Sequence, residues 1–118
     1  MAVLTSDGAT LRAFADSVLR AAEETLDEVL PVTLAVSGGI LAEAEPGSVA
    51  LQSADDGPPL LWATFAGHRM VFRYNPMTAM IELRIGTDEG YPFRLFGHRS
   101  LQMDIANFFG SLRREGRI

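Results

Sequence analysis

Between Leu60 and Phe96, apolar and polar residues alternate with a period of two, interrupted at three places by residues that suit tight turns. Such alternation is the mark of half-buried strands, and it constrains the fold more than any other stretch of the chain. Phe65-Ala66-Gly67 suits a three-residue hairpin loop with glycine in the left-handed position. It sets Trp62 opposite Met70 and Leu60 opposite Phe72. Pro76-Met77-Thr78-Ala79 makes the next turn, with proline pre-set for its first corner. That turn pairs Tyr74 with Ile81, Phe72 with Leu83 and Met70 with Ile85. The third turn, over residues 86–90, pairs Ile85 with Tyr91, Leu83 with Phe93 and Ile81 with Leu95. All three agree on one apolar face: Leu60, Trp62, Met70, Phe72, Tyr74, Ile81, Leu83, Ile85, Tyr91, Phe93 and Leu95. A one-residue slip moves a strand's whole set to the other side, so the agreement predicts an antiparallel meander.

The same registers predict the opposite face. Arg73 faces Glu82, and Glu82 faces Arg94 on its other flank. Val71 faces Arg84, which faces Pro92, and Met80 faces Phe96, with Arg69 and Leu61 nearby. Three readings fit this surface. It is a solvated face with a cross-strand ion triplet, a subunit interface of arginines and scattered apolar groups, or a pocket in which two arginines fork a small anion or carboxylate. The candidate ligand or interface residues are therefore Arg69, Arg73, Glu82, Arg84, Arg94 and Phe96.

The flanks read as helices. In residues 10–30, Leu11, Ala15, Val18, Ala22, Leu26 and Val29 fall on one helical face, and Asp16, Arg20, Glu23, Glu24 and Asp27 fall opposite. Ser6 or Asp7 suits a cap at a slightly earlier start. Pro31 is expected to end the helix at Leu30. Val32–Val36 alternates and leads into Ser37-Gly38-Gly39, which predicts a hairpin pairing Val36 with Ile40, Leu34 with Ala42 and Val32 with Ala44. A helical turn over Ile40–Glu45 is the alternative. A short strand is expected in residues 48–53 and a polar loop in 54–59. Ser100 is placed to cap a last helix of about 14 residues, whose stripe is Leu101, Ile105, Phe108, Phe109 and Leu112. Arg113 and Arg114 suit the negative end of its dipole. The expected fold is a single α+β domain over residues 1–118: a two-layer sandwich, with an N-terminal and a C-terminal helix packed on one face of an antiparallel meander sheet.

Composition narrows the function classes. A length of 118 residues buries roughly 65% of the unfolded chain's surface, enough for a core without staples. The chain has no cysteine, which excludes disulfides and thiolate chemistry. No signal-peptide pattern opens it, and no apolar run approaches the roughly 20 residues that span a bilayer, so a cytoplasmic location with no membrane partner is expected. All ten basic residues are arginine, which a GC-rich genome explains. Charge is divided: residues 1–59 hold two arginines and ten acids, net −8, and residues 60–118 hold eight arginines and five acids, net +3. A net-acidic chain is a poor general nucleic-acid binder, but a polarised one can hold a small anion, or its own acidic half in a second copy.

No reactive constellation stands out. Gly-His-Arg occurs at residues 67–69 and 97–99, but the spacing of His68 and His98 matches no ligand motif, and turn positions account for both. Asp55-Asp56 and Asp88-Glu89 lack the alternating oxygens of a calcium loop. Ser37-Gly38-Gly39 lacks the lysine of a phosphate loop, and no nucleophile elbow is present. Aromatics and arginines on the sheet suggest a base-stacking surface, but the registers put Trp62, Tyr74 and Phe93 on the core side and leave only Phe96 outside. Neither a metal nor a cofactor is expected. In architecture alone the domain resembles the dimeric chaperones that hold secretion substrates, although its element order departs from theirs, and architecture does not carry function. The expected role is a non-enzymatic binding module acting as a homodimer through the arginine-bearing face. The alternative is a binding site or small enzyme for an anionic ligand in a cleft between helix and sheet, with His68 or His98 as the acid–base group and Arg69 or Arg99 holding the anion.

Overall fold

A computed structural model of the chain describes residues 2–54, 57–100 and 102–115. Asp55, Asp56, Leu101 and Arg117 lie outside the described residues, as do the side chains of Ser6, Arg113 and Arg114. Three helices, α1 (Ala2–Ala21), α2 (Leu26–Glu43) and α3 (Gln102–Glu115), pack on one face of a sheet. The sheet consists of β1 (Ala50–Gln52), β2 (Leu60–Phe65), β3 (His68–Asn75), β4 (Met80–Ile85) and β5 (Arg94–Phe96). Its strands lie in chain order and every pair is antiparallel. The expected α+β sandwich with a meander sheet is the observed architecture, with one helix more in its helical layer.

That extra helix is the main departure. Residues 32–45, expected as a hairpin, belong to α2, and Pro31 lies inside it instead of ending its predecessor. Val29, Val32, Val36 and Ile40 are spaced for one helical face, and all four are buried. Proline costs about 3 kcal/mol inside a helix, while burying each of these side chains contributes roughly 1.5–3 kcal/mol, so the packing outweighs the break. The alternation of Val32, Leu34 and Val36 arises because both sides of α2 are apolar. Segment Glu23–Glu43, at 21 residues, is long and apolar enough to cross a membrane by length and composition, which the sequence reading denied. Here it lies between α1 and α3 and packs against both. The preceding helix starts earlier than expected, and a short 3-10 turn, Glu23–Thr25, separates it from α2. Asp7 is no cap: it is buried, and its Oδ2 accepts the Gly47 N–H at 2.8 Å, tying α1 to the loop before β1.

The β3–β4 register is the predicted one: Tyr74 opposes Ile81, Phe72 opposes Leu83 and Met70 opposes Ile85. The registers on either side differ from expectation by one residue. The β2–β3 loop has two residues, Ala66 and Gly67, both at positive φ (50° and 84°), so Leu61 opposes Phe72 and Ala63 opposes Met70. This is the geometry of a primed hairpin turn, and an alanine at its first position concealed it. At β5, Leu83 opposes Arg94 and Ile81 opposes Phe96. The Phe93 N–H also donates to the Leu83 carbonyl (2.8 Å), so two residues meet one, as in a bulge.

Both slips change what the core contains. Leu61, Ala63, Phe65 and Phe96 enter it, while Trp62, Tyr91, Phe93 and Leu95 do not. Phe109 of α3 is its hub, with ring centroids 5.4–6.0 Å from Phe65, Phe72, Phe96 and Phe108. The predicted stripe of α3 is observed at Ile105, Phe108, Phe109 and Leu112, all buried. Ser100 accepts the Gly97 N–H at 3.0 Å, closing the turn before α3.

Candidate functional site

The sheet face away from the helices carries Trp62 and Thr64 from β2, Arg69, Val71 and Arg73 from β3, Glu82 and Arg84 from β4, and Leu95 from β5. Register places Val71 between Trp62 and Arg84, and Glu82 between Arg73 and Leu95. The predicted pairs Arg73–Glu82 and Val71–Arg84 are therefore present. Leu60 and Val71 are buried although they stand outside the main core cluster, so this face has an apolar floor.

Two polar clusters lie on that floor. Around Glu82, Arg84 Nη1 donates to Oε1 at 2.8 Å and Asn75 Nδ2 donates to Oε2 at 3.0 Å. Arg84 Nε also donates to the Gly90 carbonyl at 2.8 Å. The ion pair is largely enclosed, with side-chain exposures of 13% for Arg84 and 12% for Glu82. Burial alone would push the Glu82 carboxyl up. The hydrogen bonds from Asn75 and Arg84 and the charges of Arg84 and Arg73 outweigh it and hold the carboxyl below the ordinary glutamate range. Around Trp62, Nε1 donates to Gln52 Oε1 at 2.7 Å and the Arg69 guanidinium lies 5.4 Å from the ring centroid. Arg69 Nη1 also donates to the Ser48 carbonyl and to Thr64 Oγ1, each at 3.3 Å.

Four of the six expected site residues, Arg69, Arg73, Glu82 and Arg84, share this face. Two do not. Arg94 lies on the helix side, its guanidinium 4.6 Å from the Phe108 ring centroid, and Phe96 is core. Leu95, not Arg94, flanks Glu82, and Met80 no longer faces Phe96. Trp62 takes the outward place once given to Phe96, so the base-stacking surface is one tryptophan among arginines. The forked-anion pocket loses Arg94, and two donors of Arg84 are already engaged within the fold. His68 opens β3 beside the β2–β3 loop and His98 follows β5 at the other end of the strands, so the two are not brought together. Among the described residues, no group of three or more histidine and carboxylate side chains is placed to hold a metal ion.

A second surface escaped the sequence reading because it requires α2 to be a helix. Leu30, Leu34 and Leu41 are exposed along the outer side of α2, and Met103 is exposed on α3. Between the two helices runs an apolar groove whose two adjoining hollows, about 420 and 470 Å³, share Leu34, Ala35 and Gln102. The signal was the spacing of Leu30, Leu34, Gly38 and Leu41, which falls on one helical side.

No protein-family model matches the chain, and no curated protein matches its sequence.

Proposed function

We propose that the protein is a non-enzymatic interaction module that acts as a homodimer through the open sheet face. The observation that carries this reading is the outward Trp62 with Arg69 over its ring, beside the enclosed Arg84–Glu82 pair. Tryptophan and arginine are the residues that concentrate binding energy at protein interfaces. Here their side chains are already held by hydrogen bonds, which lowers the entropic cost of association. The face carries both signs of charge, with Glu82 on the same side of the sheet as Arg69, Arg73 and Arg84. A two-fold interface needs such a self-complementary patch.

Size-exclusion chromatography with light scattering at tens of micromolar tests the reading. The expected result is a dimer for the wild type and a folded monomer for Trp62→Glu. A wild-type monomer ends it.

A further inference from the structure

We propose that the hollow where α1 ends, against the β3–β4 turn, binds a small organic diamine. It measures about 380 Å³ and is lined by Arg20 at the end of α1, by Glu23, Glu24 and Thr25 of the turn that follows, and by Tyr74 and Pro76. Tyr74 is the observation that points to a ligand. Its side chain is 1% exposed, yet no described residue hydrogen-bonds its hydroxyl, and that oxygen is not sealed inside the protein. A phenol enclosed this far ordinarily has a hydrogen-bond partner. Here it borders the hollow, so a group bound there supplies the partner. Thr25 brings a second hydroxyl: it stands at the cap position of α2 but makes no cap hydrogen bond.

Charge selects the ligand. Glu23 and Glu24 share the hollow with one cation, Arg20, and none of the three forms an ion pair among the described residues. The end of α1 adds carbonyls without intrahelical partners and the negative end of a helix dipole. An adjoining hollow of about 340 Å³ shares Glu23, Glu24 and Thr25 and adds Asp27 and Glu28, with His98 beyond those two. The positive end of α2 therefore already has Asp27 and Glu28 in its first turn, which leaves it little call for an anionic ligand. Helix α3 runs away from this region: Gln102 stands beside Pro31 and Phe109 against Gly39, so its C-terminal turn lies toward the far end of α2. One ammonium group fits the Tyr74 hydroxyl, whose oxygen accepts, together with the Glu23 and Glu24 carboxylates. A second on the same ligand has Asp27 and Glu28 in the adjoining hollow.

The probe is linear diaminobutane, titrated at low salt into isotope-labelled protein and followed by amide NMR, with butylamine and butyrate as controls. Diaminobutane is expected to give saturable shifts confined to residues 20–28 and 74–76. Butylamine should bind about tenfold more weakly, and butyrate should not bind. Tyr74→Phe removes only an oxygen that no described residue bonds. It should keep wild-type stability and weaken diaminobutane about tenfold, the loss of one hydrogen bond to a charged group. Glu23→Gln with Glu24→Gln should weaken it at least as much, and because both residues are exposed this variant reads the site even if Tyr74→Phe unfolds. Arg20→Gln should tighten binding by removing the competing cation. Absence of saturable binding, equal affinity for butylamine, binding of butyrate, or loss of binding in Arg20→Gln overturns the proposal. So does wild-type affinity in either the Tyr74 or the Glu23/Glu24 variant. Shifts spread over acidic residues throughout the chain make the diamine a loose counterion only and also overturn it. Trp62→Glu, on the other side of the sheet, should leave diamine binding intact, so this site and the dimer fail or stand separately.

Discussion

Gly39 of α2 lies directly against Phe109 of α3: a Cβ built on it would stand 2.3 Å from Phe109 Cδ2. Phe109 is fully buried among four other phenylalanine rings and has nowhere to retreat. The glycine is there to let two helices approach, not to turn a chain. Gly39→Ala is expected to cost about 1–3 kcal/mol from overpacking, less the roughly 1 kcal/mol that alanine returns to a helix. Gly38→Ala, with open space above it, should stabilise by up to about 1 kcal/mol. Urea denaturation of the two variants gives opposite signs if the helices pack as described.

The β2–β3 turn carries alanine where the backbone needs positive φ. Ala66→Asn is expected to stabilise by about 0.5–1 kcal/mol, since asparagine tolerates that conformation better than alanine. Gly67→Ala should destabilise, its φ being 84°. Thermal melts of the pair check the two-residue loop, and a neutral outcome for both contradicts it.

Glu82 links the open face to pH. Its folded-state pKa lies below the unfolded value, which is about 4.3 for glutamate. The carboxylate therefore adds stability above that value, and the contribution is lost as pH falls from there through the folded value. The stability difference between wild type and Glu82→Gln should be constant near neutrality and close below about pH 4. Denaturation at stepped pH reads this, and a difference that widens in acid contradicts it.

Trp62 is the single tryptophan, so its emission reports its surroundings alone. On the outward face it should be quenched by acrylamide in the native state, and Arg69→Ala should raise the quenching by uncovering the ring. In a dimer through this face, quenching should fall as concentration rises. A ring that resists acrylamide at high dilution places Trp62 under the helices.

Arg94 separates the predicted face from the observed one. Over Phe108, its guanidinium contributes about 0.5–1 kcal/mol as a cation–π contact. Arg94→Ala should lower stability by that amount and leave the oligomeric state alone, whereas Arg73→Glu should disrupt the dimer. Light scattering of both variants checks the assignment.

Much of the sheet was legible in the chain because its information is local. The β3–β4 pairing follows from a proline-led turn and two flanking runs, and the observed register agrees with it residue for residue. The last helix was legible for the same reason: Ile105, Phe108, Phe109 and Leu112 repeat with one period only. Four of six candidate face residues followed from β3 and β4. Arg94 and Phe96 did not, because the long loop before β5 sets its register by a two-against-one contact at Leu83. Trp62 was misplaced by a turn whose first residue breaks the usual rule for positive φ.

The sequence by itself determined the class: an alternating meander with a single-period helix after it must form an antiparallel sheet covered on one side. Only tertiary structure decided what residues 26–43 become. Val32, Leu34 and Val36 satisfy a strand's period, while Val29, Val32, Val36 and Ile40 satisfy a helix's. Local preference cannot choose between them. The choice falls to Phe109, some 70 residues away from Gly39, which needs a helix without a side chain at that point in order to close the core.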